Sequence, residues 1–123
     1  MRIVRQAQGE RYIFVKSLIS TSRNYHIFYQ LCAGADEDER EEWHLGTAES
    51  FHYLNQSNCF QIDGVDDEAD LEQLKSALDC LDINESQQSS IFKIISAVLH
   101  LGNIRFSKKG TLDSAVIDNT QGF

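Results

Sequence analysis

The residues of this chain with chemistry to offer are three cysteines, four histidines and an acidic surplus. Cys32, Cys59 and Cys80 stand 27 and 21 residues apart, and His44 and His52 are eight apart. A structural zinc site wants Cys or His pairs roughly two to five residues apart. The spacing therefore predicts buried thiols and ordinary boundary histidines rather than a metal. An odd cysteine count without an export signal reads as free thiols in a reducing compartment. Asp36 to Glu42 holds six acids in seven residues. Paired carboxylates do acid–base work only in a pocket that drives their pKa values apart, so a run this dense predicts a solvated face. Asp63-Gly64-Val65-Asp66-Asp67-Glu68-Ala69-Asp70 has the acidity of a calcium loop in the wrong register: glycine is second, where an EF-hand needs it about sixth. A turn followed by a negatively charged helix start accounts for it better.

Nucleotide chemistry fares no better. A phosphate-cradling loop needs closely spaced glycines followed by Lys and Ser or Thr. The seven glycines are all more than five residues apart. Asp113-Ser114 has the dipeptide of a carrier-protein attachment site, but that serine opens a long helix and Ser114 precedes an extended run. His26, between Tyr25 and Ile27, predicts helix-boundary packing, because no serine or cysteine nucleophile has a recognisable context. Asn55-Gln-Ser57 and Asn84-Glu-Ser86 match the glycosylation sequon and carry no meaning in a cytosolic chain. The expectation is thus no catalytic, no cofactor-binding and no metal-ligating residue in this chain.

With 123 residues there is room for one small domain and a core that buries about 65% of the unfolded surface. Hydrophobic residues at 41% and charged residues at 24% exclude a disordered composition. Asp and Glu outnumber Lys and Arg 19 to 11, for a net charge of -8. That balance argues against a nucleic-acid binder and against docking on anionic membrane. Proline is absent, which suits helices joined by short turns. No apolar run is long enough for a transmembrane span, and nothing behind Arg2 and Arg5 resembles a signal peptide. The expected location is cytoplasmic.

Hydrophobic spacing and punctuation predict the elements. Tyr12 to Ser22, with Ile13, Phe14, Val15, Leu18 and Ile19, favours a strand. Asn24 to Ala33 reads as a helix with Ile27, Phe28, Leu31 and Cys32 on one stripe, and Gly34 as the positive-φ residue that ends it. Asp36 and Glu39 form a capping box for a short helix anchored by Trp43 and Leu45. Thr47 caps a helical piece holding Phe51, Tyr53 and Leu54. Asn55 to Asn58 is a turn, and Cys59 to Ile62 is extended, ending at Asp63-Gly64. A helix starts at Asp66 or Asp67 and runs to about Leu81, with Leu71, Leu74, Leu78 and Leu81 repeating at helical intervals. Asn84 caps the last helix, with Gln87 three residues on. Its expected core face is Ile91, Ile94, Ile95, Val98, Leu99 and Leu101, widened by Phe92. Gly102 and Asn103 end it. Ile104 to Phe106 and Ala115 to Ile117 predict a hairpin. The fold class is mainly α with a short β-hairpin near the C-terminus.

Several of these blocks carry a resemblance. Asn24-Tyr-His-Ile-Phe-Tyr-Gln-Leu31, Ala33-Gly34-Ala35, His44-Leu45, Phe51-His-Tyr53-Leu-Asn-Gln56-Ser57, Ile62-Asp63-Gly64-Val65-Asp66-Asp67, Ile91-Phe92 and Leu99-His100-Leu101-Gly102-Asn103-Ile104-Arg105-Phe106 resemble the myosin motor head in order and spacing. They span roughly Asn24 to Asn119, and Arg2-Ile3-Val4 with Gly9-Glu10-Arg11 resembles the stretch before them. The resemblance implies a position between switch I and switch II, in the upper subdomain that walls the actin-binding cleft. The P-loop fold, ATP with magnesium, actin, and a cytoskeletal location are then implied for the parent head. P-loop, switch I and switch II are absent here, so the resemblance implies a scaffold without its own nucleotide site.

Two departures stand out. Met1 directly precedes Arg2-Ile-Val, where the family chain is mid-domain, which predicts a truncated product or partial gene model. In the family Gly-Glu-Arg runs straight into Asn-Tyr-His; here Tyr12 to Arg23 intervenes, and either Arg11 or Arg23 could be the family's arginine. The insertion at about 12–23 reads as translated non-coding sequence or a splice variant that loses the native connection into the first helix. Residues 1–123 are thus a partial motor domain. The alternative is a stand-alone acidic helical interaction module derived from a myosin head, without motor activity.

Overall fold

The computed structural model describes residues 23–108 and 115–118. The order is α1 (His26–Gly34), α2 (Glu37–Glu42), a single 3-10 turn (Ala48–Ser50), α3 (Asp67–Cys80), α4 (Glu85–Gly102), β1 (Phe106–Lys108) and β2 (Ala115–Ile117). The chain is mainly α with an antiparallel hairpin near its C-terminus. The expected strand over Tyr12 to Ser22 lies outside the described residues; of the connection expected over Ser107 to Ser114, Ser107 and Lys108 are in β1 and residues 109–114 lie outside the described residues.

The helix starts follow the local chemistry of their first turns. Asp36 accepts from Glu39 N while Glu39 returns a bond to Asp36 N, closing the capping box of α2. Asn84 and Gln87 do the same for α4, and the Asp66 side chain accepts from Ala69 N at the start of α3. The first helix begins at His26 rather than Asn24. Asn24 is instead drawn off the helix axis: its side chain accepts from Tyr25 N and donates to Tyr53 O.

The helix ends are less legible. At the end of α2, His44 adopts φ 52°, its N–H bonds Glu41 O, and Leu45 N bonds Arg40 O. At the end of α3, Asp82 adopts φ 59°, its N–H bonds Asp79 O, and Ile83 N bonds Leu78 O. Both are Schellman closures that place a non-glycine residue in the left-handed region. Gly34, expected in that role, is the last residue of α1, and its value is closeness. A Cβ there would lie 3.0 Å from Leu71 Cδ2 and 3.2 Å from Glu68 Cα, so the absent side chain lets α1 approach α3. The carbonyls that α1 leaves open are taken by Arg40, which donates to Cys32 O, Ala33 O and Ala35 O at 2.6, 3.0 and 2.9 Å.

Only Ala48–Ser50 is helical in the middle segment, so Phe51, Tyr53 and Leu54 follow that element rather than lie in it. Thr47 precedes it without a side-chain capping bond. The extended run Cys59 to Ile62 pairs with no strand among the described residues. The hairpin sits two residues later than its first arm was expected, with Phe106 opposite Ile117, Ser107 opposite Val116 and Lys108 opposite Ala115.

One core joins the helices. Tyr29, Leu31, Cys32 and Ala35 come from α1 and its end, Leu71 from α3, and Phe92 and Leu99 from α4, while Trp43, Leu45, Phe51 and Leu54 come from the connections. Burying a large apolar side chain contributes about 1.5–3 kcal/mol. The face α4 buries differs from the expected one. Gln88, Phe92, Ser96 and Leu99 are buried and Ile95 is partly so, whereas Ile91, Ile94, Val98 and Leu101 are exposed. Leu81, the last leucine of the expected stripe, follows the end of α3 and is exposed as well.

Gly102 closes α4 against the middle segment. A Cβ on it would fall 2.3 Å from Tyr53 Cδ2 and 2.5 Å from Cε2, inside the ring's van der Waals envelope. Alanine would gain about 1 kcal/mol of helix propensity. Displacing a packed ring costs typically about 1–3 kcal/mol. Gly102→Ala is therefore expected to lower the urea midpoint; a rise would mean that Tyr53 swings away freely.

Candidate functional site

Ser96 and His100 are engaged in structure, while Ser114 lies outside the described residues. Trp43 O, at the end of α2, accepts from Ser96 Oγ at 2.9 Å and from His100 Nε2 at 3.0 Å. A carbonyl only accepts, so this contact requires the proton on Nε2. The same imidazole meets Phe51 edge to face at 5.3 Å. His100 thereby ties α4 to two connections at once. Neighbouring Asn103 adds a second tie, accepting from His52 N at 2.7 Å and donating to Ser50 O at 3.1 Å. The side chain of His52 lies against Gln56, and His26 and His44 are exposed. The sequon residues are used locally: Asn55 donates to Glu49 O, and Asn84 caps α4.

The acidic run is more than a solvated face. Glu39 receives Lys75 of α3 at 2.7 and 2.9 Å, and Glu42 receives Lys93 of α4 at 2.8 Å. Two of the six acids thus pin the short α2 to the long helices, while Asp36, Glu37, Asp38 and Glu41 face water. Exposed pairs of this kind contribute little each, about 0–1 kcal/mol. In the Asp63–Asp70 stretch Gly64 takes φ 79° in the expected turn, Asp66 caps α3, and Asp67 is held by an arginine. Among the described residues no group of three or more His, Cys, Asp or Glu is placed to hold a metal ion.

The cysteines are scattered, with Cys32 buried, Cys59 intermediate and Cys80 exposed. Burial pushes the Cys32 thiol up to about 12 from an ordinary 9.0, against a smaller opposing pull from Arg40. The folded state holds that proton more tightly than the unfolded chain. The resulting stability is complete below pH 9.0 and is lost as pH climbs toward 12. Near about pH 8, iodoacetamide is expected to label Cys80 quickly and Cys32 only on unfolding. Equal labelling of both in the native chain, read by mass spectrometry, would contradict the burial.

Arg23 was not singled out as a site residue by its neighbours in sequence. Its side chain is wholly buried, and Nη1 and Nη2 meet the two Asp67 carboxylate oxygens at 2.5 and 3.0 Å. Nη1 also donates to Phe60 O at 3.2 Å, and the guanidinium lies 4.6 Å from the centre of the Tyr29 ring. The Tyr29 hydroxyl, lifted above its ordinary pKa mainly by burial, accepts from Asn24 N and donates to Leu54 O.

The feature left open is apolar. Ile91, Ile94, Val98 and Leu101 are 39, 67, 39 and 61% exposed and recur at intervals of three, four and three. That is a narrow seam of the kind one helix presents to a partner, running along α4 beside its buried face. Its chemistry is docking, not catalysis. No helix among the described residues is long and apolar enough to cross a membrane.

Comparison with known proteins gives this helical unit a family. The family model described as Myosin head (motor domain) matches residues 2–122. Myosin-17 of Arabidopsis thaliana is 48% identical over 95 residues, which is 77% of this chain and 6% of that protein. The Myosin-I heavy chain of Dictyostelium discoideum is 48% identical over 99 residues, covering 77% of this chain and 4% of its own length. Myosin-51 of Schizosaccharomyces pombe is 50% identical over 90 residues, covering 73% and 6%. The chain therefore spans a small fraction of the length of these relatives. Helices, hairpin and core all fall within the matched residues 2–122, and the chain is a member of the myosin head family.

Proposed function

We propose that this chain is a scaffold part of an ATP-driven actin motor, from the upper cleft subdomain between switch I and switch II. The observation that carries the reading is α4. It is apolar on two sides, with Phe92 and Leu99 buried in this unit and Ile94 and Leu101 open. A helix apolar on both sides belongs inside a larger body. The small share of each relative that the chain spans leaves ample polypeptide to supply that body. In this reading the unit transmits cleft movement by keeping α1, α3 and α4 in fixed relation while the open seam rides on the rest of the head.

ATP and magnesium belong to other parts of the parent, and actin is the parent's partner. Gly34 and Gly102 are taken up by helix packing against Leu71 and Tyr53, which supports leaving the nucleotide to those other parts. No chemical step is assigned to this chain. The test is to read the transcript on both sides of it and to assay the longer polypeptide for ATP hydrolysis with and without actin filaments. A P-loop and both switches, with actin-stimulated turnover, are expected. Stop codons on both sides would favour the second reading, an acidic interaction module of myosin ancestry. That reading draws support from the unit's having a core of its own.

A further inference from the structure

We propose that Arg23, and not Arg11, is the arginine that precedes Asn24 at the family junction, so that the inserted residues are 11–22 and lie wholly upstream of the helical unit. Sequence leaves the two arginines equivalent, since each follows a polar residue and either could run into Asn24. The structure separates them. Arg23 donates to both carboxylate oxygens of Asp67, reaches Phe60 O and stacks on Tyr29. One arginine fills both oxygens of that carboxylate in the fork geometry that makes such pairs specific. Asn24 then fixes the next residue, donating to Tyr53 O and placing its own N–H on the Tyr29 hydroxyl.

Two successive residues thus staple the chain to α1, α3 and both ends of the 53–60 segment. The insertion, 11–22, consequently ends at Ser22 and leaves Arg23 to make this staple. In a form lacking twelve residues, Arg11 would precede Asn24 and take the same place on Asp67. The two forms would build the same helical unit, and the insertion would change only how far Gly9 and Glu10 stand from it along the chain. Arg23 is a positioning residue in this account, and the inference is independent of whether the parent is a motor.

Trp43, the sole tryptophan and buried, reports the fold by its fluorescence. Thermal melts of the 123-residue chain are compared with those of Arg23→Ala, Arg11→Ala, the deletion of 12–23, and that deletion combined with Arg11→Ala. Removing one partner of a buried pair is expected to lower the midpoint by roughly 10 °C or more, or to abolish the transition. Arg23→Ala should do so, and Arg11→Ala should not. The deletion should melt like the parent chain, and adding Arg11→Ala to it should reproduce the Arg23→Ala loss. The proposal is overturned if Arg11→Ala is as damaging as Arg23→Ala in the undeleted chain. It is equally overturned if the deletion is insensitive to Arg11→Ala, or if the parent chain has no cooperative transition at all.

Discussion

Phe92→Ala is expected to cost this unit about 3–5 kcal/mol, close to the largest loss a single core substitution produces. Phe92 is almost fully buried, its ring centre lies 6.2 Å from that of Trp43, and the Lys75 ammonium sits 5.9 Å above it. Its removal empties the space where α4 meets the end of α2, and the polar ties around that space hold the backbone in place. Ser96 and His100 both bond Trp43 O, so the walls cannot collapse inward without breaking them. With a urea slope of about 1–3 kcal/mol per molar, the midpoint should fall by more than about 1 M. Emission of Trp43 should shift to the red in the native baseline, because one side of the indole loses its cover. Ile94→Ala, on the open side of the same helix, is expected to change stability by no more than about 0.5 kcal/mol. Equal losses at the two positions would mean that Ile94 is as deeply packed as Phe92.

Ile94→Glu separates the unit from its surroundings. In the 123-residue chain the carboxylate would stand in water beside Ile91, Val98 and Leu101. It should leave the melt unchanged and reduce the self-association that an open apolar seam promotes. In the longer polypeptide the same carboxylate would have to enter an apolar interface unpaired, at a cost of several kcal/mol. If the longer polypeptide is the actin-stimulated ATPase proposed above, its turnover should then fall together with its stability. Full activity together with full stability in the longer protein would mean that the seam faces solvent there, and the scaffold reading would fail. Sedimentation of the short chain and turnover of the long one read the two halves of this expectation independently.

Much of the local structure is written in adjacent residues. The pairs Asp36 with Glu39 and Asn84 with Gln87 announce their helix starts because capping depends on side chains only three residues apart. The leucine spacing from Leu71 to Leu78 announces α3, and the short extended runs Ile104 to Phe106 and Ala115 to Ile117 announce the hairpin. The blocks from Asn24 to Phe106 announce the family for the same reason: order and spacing are properties of the chain itself.

What the sequence could not decide was which partner each group would meet. Periodicity established that α4 is broadly apolar, but an apolar arc this wide does not say which half turns inward. The choice fell to Phe92 and Leu99 because α1, α3 and Trp43 approach from that side, leaving Ile94 and Leu101 open. Gly34 looked like a helix stop, yet its use is set by Leu71, 37 residues away. The acids of α2 looked uniformly solvated until Lys75 and Lys93 arrived from other helices. Arg23 and Arg11 were indistinguishable until Asp67, 44 residues downstream of Arg23, took both ends of one guanidinium. Capping and propensity are short-range and therefore legible in order along the chain. Burial, close approach and ion pairing are relations between distant segments, and only the packed helices determine them.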